Sequence, residues 1–262
     1  MVHLQPGRSN ADILAIAGDL AERLHAGPIG IVVCQPMQIV EGDGYVPTDL
    51  VQADRDEIEQ DIKKAEAEFR DTFQKRGRPV EWRSAVMFGS IPDYIAGEAR
   101  SADLIITSAD WQQAKISDLV MQLGRPVLIV PVAVSTLKLN HALVAWKDTR
   151  ETRRATLDAL PLLKKAMRVT LVEIAGENDL AAGRIHLEKV AKWLESHSIS
   201  AEILVSPSTG SDAMRLKTIA QEQGADLIVA GAYGHSRLRE FVLGGVTHDL
   251  LLCADRCSLV SH

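Results

Sequence analysis

Ala225-Asp226-Leu227-Ile228-Val229-Ala230-Gly231-Ala232-Tyr233-Gly234-His235-Ser236-Arg237, running on to Leu243-Gly244-Gly245-Val246-Thr247, is the stretch from which the fold of this chain is read. It opens as a short apolar run of strand character and breaks into a glycine turn. An excursion follows, and a second glycine pair opens a segment of helical periodicity. Glycine lets the backbone adopt positive φ and approach a ligand closely. The unpaired N–H groups at the start of the following helix favour an anion, most often phosphate. Ligands of open parallel sheets bind beyond the carboxyl ends of the strands, where this loop falls. Two tight turns and a helix cap would use the same glycines. The loop is not a Walker A sequence, since no Gly-Lys-Ser/Thr ends it, and it is not a GxGxxG dinucleotide loop.

Working outward, the stretch has an echo. Ala225-Asp226-Leu227-Ile228 repeats Ala102-Asp103-Leu104-Ile105, each time after an amphipathic segment. Arg125-Pro126-Val127-Leu128-Ile129-Val130 returns as Arg256-Cys257-Ser258-Leu259-Val260, and both Val2-His3-Leu4 and Leu143-Val144-Ala145-Trp146 precede a polar turn and a long helix. Strand-like runs at 29–34, 80–86, 104–107, 127–132, 142–146, 168–174, 201–205, 227–230 and 258–260 alternate with helical periodicity at 11–24, 54–75, 91–100, 151–166, 183–195, 212–223 and 246–252. Such alternation predicts crossover units and a mainly parallel sheet covered on both faces. At roughly 150 residues per domain, a chain of 262 residues is one large domain or two small ones. The repeat favours two copies of one unit. The boundary is expected in the polar stretch Val134–Asn140, giving units 1–134 and 138–262. From Asp103 to Arg125 is 22 positions and from Asp226 to Arg256 is 30, so the second copy carries eight extra residues, in the glycine segment.

Net charge is −6 and aromatic residues make up 4%. Attraction to nucleic acid or anionic lipid is therefore not expected, and a base-stacking platform would have few rings to use. The three cysteines, Cys34, Cys253 and Cys257, are too few for a disulfide framework. Cys253 and Cys257 read as buried thiols. His248 nearby makes zinc conceivable, without a CxxC pair to support it. The longest apolar run, Val127–Val134, contains a proline and falls short of the roughly 20 residues of a membrane span. The first residues lack a basic start and an apolar signal core. A cytoplasmic protein is expected.

The spacing Gly-x2-Gly-x9-Gly at Gly231, Gly234 and Gly244 resembles the nucleotide-binding loop of the universal stress protein family. The resemblance extends to Ala225–Ile228 before the loop, Gly244–Thr247 after it and the terminal strand ending in Ser261-His262, and the duplicated layout resembles the tandem form of that family. It implies two flavodoxin-like, doubly wound α/β domains of five strands each, related by a pseudo-twofold axis and paired through their last strands. It also implies a stress-response module that can hold ATP or a related adenine nucleotide. Carried onto this chain, phosphate would meet backbone N–H groups of Gly234, Gly244, Gly245 and Val246, beside Gly231. Family members end the first strand in an acid that holds the nucleoside. The second copy has Lys147-Asp148-Thr149 there, so that either Lys147 replaces the acid or Asp148 supplies it one residue later. The loop follower is Gly245 instead of Ser or Thr. The first copy has Gln5-Pro6-Gly7, with no acid, and its loop has become Ser108-Ala109-Asp110-Trp111, where Asp110 would repel phosphate. One nucleotide per chain, in the second copy, is the expectation.

Arg237 and His235 fit phosphate contact, and equally a solvated basic turn. Trp146 could wall an adenine pocket, though a strand aromatic usually packs in the core. The acidic, Gly- and Pro-rich stretch Gln35–Asp54 reads as a mobile surface loop. No general base, metal-binding carboxylate pair or Walker B equivalent is found, so no catalytic residue is assigned and hydrolysis would at most be slow. The alternative is an interaction protein that kept the fold and lost the ligand. Its protein partners are not legible.

Overall fold

Two short apolar strands, Val127–Val130 (β5) and Cys257–Ser261 (β10), meet antiparallel at the centre of the molecule, with Leu128 opposite Leu259 and Val127 opposite Val260. In the computed structural model the described residues are 1–37, 48–132, 134–232 and 255–262. Their other strands are β1 (Val2–Leu4), β2 (Ile29–Cys34), β3 (Glu81–Val86), β4 (Ile105–Ser108), β6 (His141–Trp146), β7 (Arg168–Ala175), β8 (Glu202–Pro207) and β9 (Leu227–Gly231). All lie in one sheet in the order β3-β2-β1-β4-β5-β10-β9-β6-β7-β8. Every neighbouring pair except β5–β10 is parallel. Read inward from each edge, the two halves have the same strand order, and the antiparallel seam between them relates the halves by a pseudo-twofold axis. The intramolecular pairing expected from the sequence is present.

The central strands are apolar on both faces, as a parallel sheet sandwiched between helices requires, while the edge strands β3 and β8 are largely half-buried or exposed. Alternate side chains divide between the faces. Val32, Cys34, Leu128, Val130, Ala142, Val144 and Leu259 point into one core that runs through both halves. Helices α1 (Ala11–Leu24), α2 (Thr48–Gln74), α5 (Arg150–Asp158), α6 (Leu160–Leu163) and α7 (Leu180–Ser196) cover it. On the other face are two separate clusters. Helices α3 (Ile91–Glu98) and α4 (Gln113–Leu123) cover the first, and α8 (Asp212–Glu222) covers the second. The first of these also takes in Ala232 and Val260, so the seam is packed from both sides.

The structure differs from the sequence expectations in four places. The helix expected over 151–166 is two: Pro161 has no N–H to donate to Leu157, and α5 gives way to α6 at Ala159. Thr48–Asp54, expected in a loop, form the first turns of α2. Helix α4 has no counterpart among the expected segments, although Ile116, Leu119, Val120 and Leu123 recur at helical spacing and are buried. The connection at 134–140, expected as a polar stretch, is anchored. Leu137 and Leu139 are buried in the shared core, and Arg23 donates to the carbonyls of Leu137 and Lys138 at 3.1 and 3.0 Å. Cys257 is a buried free thiol, as expected, Cys34 is another, and burial pushes them up to about 12 and about 11. No helix among the described residues is long and apolar enough to cross a membrane.

Candidate functional site

Because the seam is antiparallel, the carboxyl ends of the first-half strands and those of the second-half strands lie on opposite edges of the sheet. The molecule therefore presents two crevices of the kind in which parallel sheets bind ligands. Their chemistry is not the same.

In the first half a cavity of about 430 Å³ opens over β1, β2 and the turn after β4, with Gln5, Cys34, Asp61, Asp110 and Trp111 in its walls. Gly7 turns the chain after β1 at φ +68, a conformation that favours glycine. Asn10 ties this turn, accepting from the Gln5 N–H at 2.9 Å and donating to the Gln5 carbonyl at 3.1 Å. The Gln5 carboxamide and the Arg8 guanidinium both donate to the Asp110 carboxylate, the latter at 2.7 Å. Burial raises the Asp110 pKa, but hydrogen bonds from Ser108, Gln5 and Arg8 outweigh it and hold the group below its usual range. An ionised carboxylate thus lines the cavity at the turn after β4.

In the second half β6 ends at Trp146, and Lys147 and Asp148 are exposed just beyond it. Thr149 caps α5, its hydroxyl accepting from the Thr152 N–H at 3.3 Å. Asp148 accepts from Arg153 Nη2 at 2.7 Å and Nε at 3.2 Å. Glu151 is buried in the first turn of α5 and takes a hydrogen bond from the exposed Arg150. Burial alone would raise its pKa; the Arg150, backbone and Thr149 hydrogen bonds bring it below the ordinary value. Gly231 ends β9 against this same turn. A Cβ on it would lie 2.4 Å from the Thr152 nitrogen and 2.6 Å from the Glu151 carbonyl carbon, so helix packing alone requires glycine there. Asp148 and Gly231 therefore share one edge. The remaining candidates, Gly234, His235, Arg237, Gly244, Gly245 and Val246, lie outside the described residues, as do the expected helix at 246–252, His248 and Cys253.

Two polar groups that sequence reasoning did not single out, Glu173 and His186, gather with Trp146 beside Asp148. Glu173 stands opposite Trp146 in register, its carboxyl packed on α7 within 3.2 Å of where a Gly183 Cβ would be. Burial holds its pKa above the usual range, the nearby His186 opposing and Asp148 reinforcing that shift. Glu173 Oε2, His186 Nδ1 and Trp146 Nε1 are buried without a hydrogen-bond partner among the described residues. An acid inside a strand run and a histidine inside a helix give no local signal. The register of β6 with β7 and the packing of α7 bring them together.

Residues 140–256 match the model of the universal stress protein family. Over 132 residues the chain is 25% identical to a universal stress protein of Methanocaldococcus jannaschii, covering 49% of this chain and 80% of that protein. The fold is similar over 99% of the chain to the crystal structure of a universal stress protein from Archaeoglobus fulgidus, at TM-score 0.77 and 14% identity, covering 97% of it. A functionally unknown protein from Pseudomonas aeruginosa PAO1 is similar over 99% of this chain and 91% of its own, at TM-score 0.64 and 14% identity. Over its residues 140–256 the chain is thus similar in sequence to the universal stress protein family, and over its whole length it is similar in fold to solved members of it.

Proposed function

We propose that the chain is a tandem stress-response module of the cytoplasm that binds one adenine nucleotide, ATP or a close relative, at the carboxyl strand ends of its second half. The observation that carries this is the opposite chemistry of the two crevices. The first holds an ionised Asp110 at the phosphate position, fastened by Gln5 and Arg8. The second keeps the Gly231, Gly234 and Gly244 spacing and presents Lys147, Arg150 and Arg153 around Asp148. The described residues suit the ligand. Asp148 and the unpartnered Glu173 oxygen accept from ribose hydroxyls or an exocyclic amine, Trp146 Nε1 donates, and the cations complement phosphate. The glycine segment supplies backbone donors without side-chain bulk. Binding, orientation and charge neutralisation are the roles assigned to these residues; none is given a catalytic one. The reduced, buried thiols Cys34 and Cys257 fit a cytoplasmic setting.

The alternative, an interaction protein that has lost its ligand, is favoured by one observation: Arg153 already occupies the Asp148 carboxylate. Mass spectrometry of the purified protein and calorimetry with ATP separate the two. Retained adenine nucleotide, or saturable ATP binding weakened about tenfold or more by Asp148→Ala, supports the module. No retained nucleotide together with no heat at millimolar ATP overturns it.

A further inference from the structure

We infer that the first-half cavity is a second ligand site, independent of the nucleotide reading, and that it takes an extended organic polycation. Its charge is the first observation. Asp54, Glu57 and Asp61 on one side of α2 line it together with Asp110. Arg8, which also lines the cavity, neutralises Asp110, which leaves three carboxylates, Asp54 accepting from the Met37 N–H at 3.0 Å, against Lys115, the second lining cation among the described residues.

Shape is the second. At about 430 Å³ the space is far larger than a bare ion, and no cluster of acids among the described residues is gathered closely enough to hold a metal. Carboxylates spread along a helix suit separated charges on one molecule. The apolar walls, Ile58, Ile91 and Trp111, suit the methylene chain between them.

His3 is the third. It lines the cavity at 2% exposure, its ring centroid 4.3 Å from that of Trp111 and tilted by 59° to it, with Nδ1 3.0 Å from the Thr107 hydroxyl. The hydrogen bond found for this ring among the described residues is made at Nδ1, not at Nε2. With Nδ1 donating to Thr107, Nε2 presents a lone pair to an ammonium. The crevice that turns phosphate away at Asp110 is thus built for the opposite charge.

Spermidine is the probe, titrated calorimetrically into the full chain at about 0.15 M salt, where the Debye length is about 8 Å and loose surface attraction is screened. One spermidine per chain is expected, with affinity reduced tenfold or more in Glu57→Gln/Asp61→Asn and unchanged in Asp71→Asn, on the exposed part of α2. Millimolar Mg²⁺ should not displace it. Glu57 is exposed, so the single variant Glu57→Gln, with an unaltered melting temperature, serves should the double variant fold poorly. No heat at millimolar spermidine overturns the inference, as does equal binding by a folded cavity variant or displacement by Mg²⁺. ATP binding by the same variants stays at the wild-type level if the two sites are separate, so failure of one proposal is distinguishable from failure of the other.

Discussion

His3 carries the clearest pH signature of any single residue described. Burial, reinforced by Lys115, lowers its pKa from 6.5 to about 3, so the folded protein keeps it neutral while the unfolded chain takes up a proton below the ordinary range. Between those values the unfolded state binds more protons, and stability rises with pH. The contribution is complete above about pH 6.5 and is lost progressively as pH falls towards 3. Urea unfolding of wild type at pH 7.5, 6, 5 and 4 should show this decline, and His3→Gln, which cannot charge, should flatten it. Equal slopes in the two proteins would mean that His3 is not held neutral by the fold. At this scale the sequence was partly legible. Asp110 could be read as hostile to phosphate from its place in the shortened loop, but its fastening by Gln5 and Arg8 joins side chains more than a hundred positions apart. Gly231 was read as freedom for a ligand, and its lack of a side chain is already required by the backbone of α5.

Elements were legible where period and burial agree. The strands from β2 to β10 were recovered to within two residues at each end, the central ones because runs apolar on both faces have no other stable home. Helix α4 escaped although its apolar positions are regularly spaced. The break between α5 and α6 depends on one proline. The connection at 134–140 was misread because its polar residues outnumber Leu137 and Leu139, whereas burial depends on which residues the chain path turns inward. Leu139 is completely buried in the core shared by both halves. Leu139→Ala should therefore cost about 2–5 kcal/mol, in the range for large-to-small core substitutions. Denaturant unfolding followed by tryptophan fluorescence checks this, and a loss below about 0.5 kcal/mol would show that the connection is a passive linker.

Across the whole molecule, a duplicated sheet joined at one antiparallel seam puts two crevices on opposite edges, the first lined by Asp54, Glu57, Asp61 and Asp110 and the second mixing Arg150 and Arg153 with Asp148, Glu151 and Glu173 among the described residues. The duplication and the seam could be read from repeated Ala-Asp-Leu-Ile and Arg-x-x-Leu patterns. The gathering of Asp54, Glu57 and Asp61 over β1, and of Glu173 and His186 beside Asp148, could not, because it arises from crossovers that bring distant helices to a strand end. The central claim is asymmetry: one nucleotide per chain, in the second half. Calorimetric stoichiometry with ATP tests it most directly. The account predicts a value near one, abolished by Gly234→Val and unaltered by Asp110→Ala; a value near two, or binding lost in Asp110→Ala and kept in Gly234→Val, would contradict it.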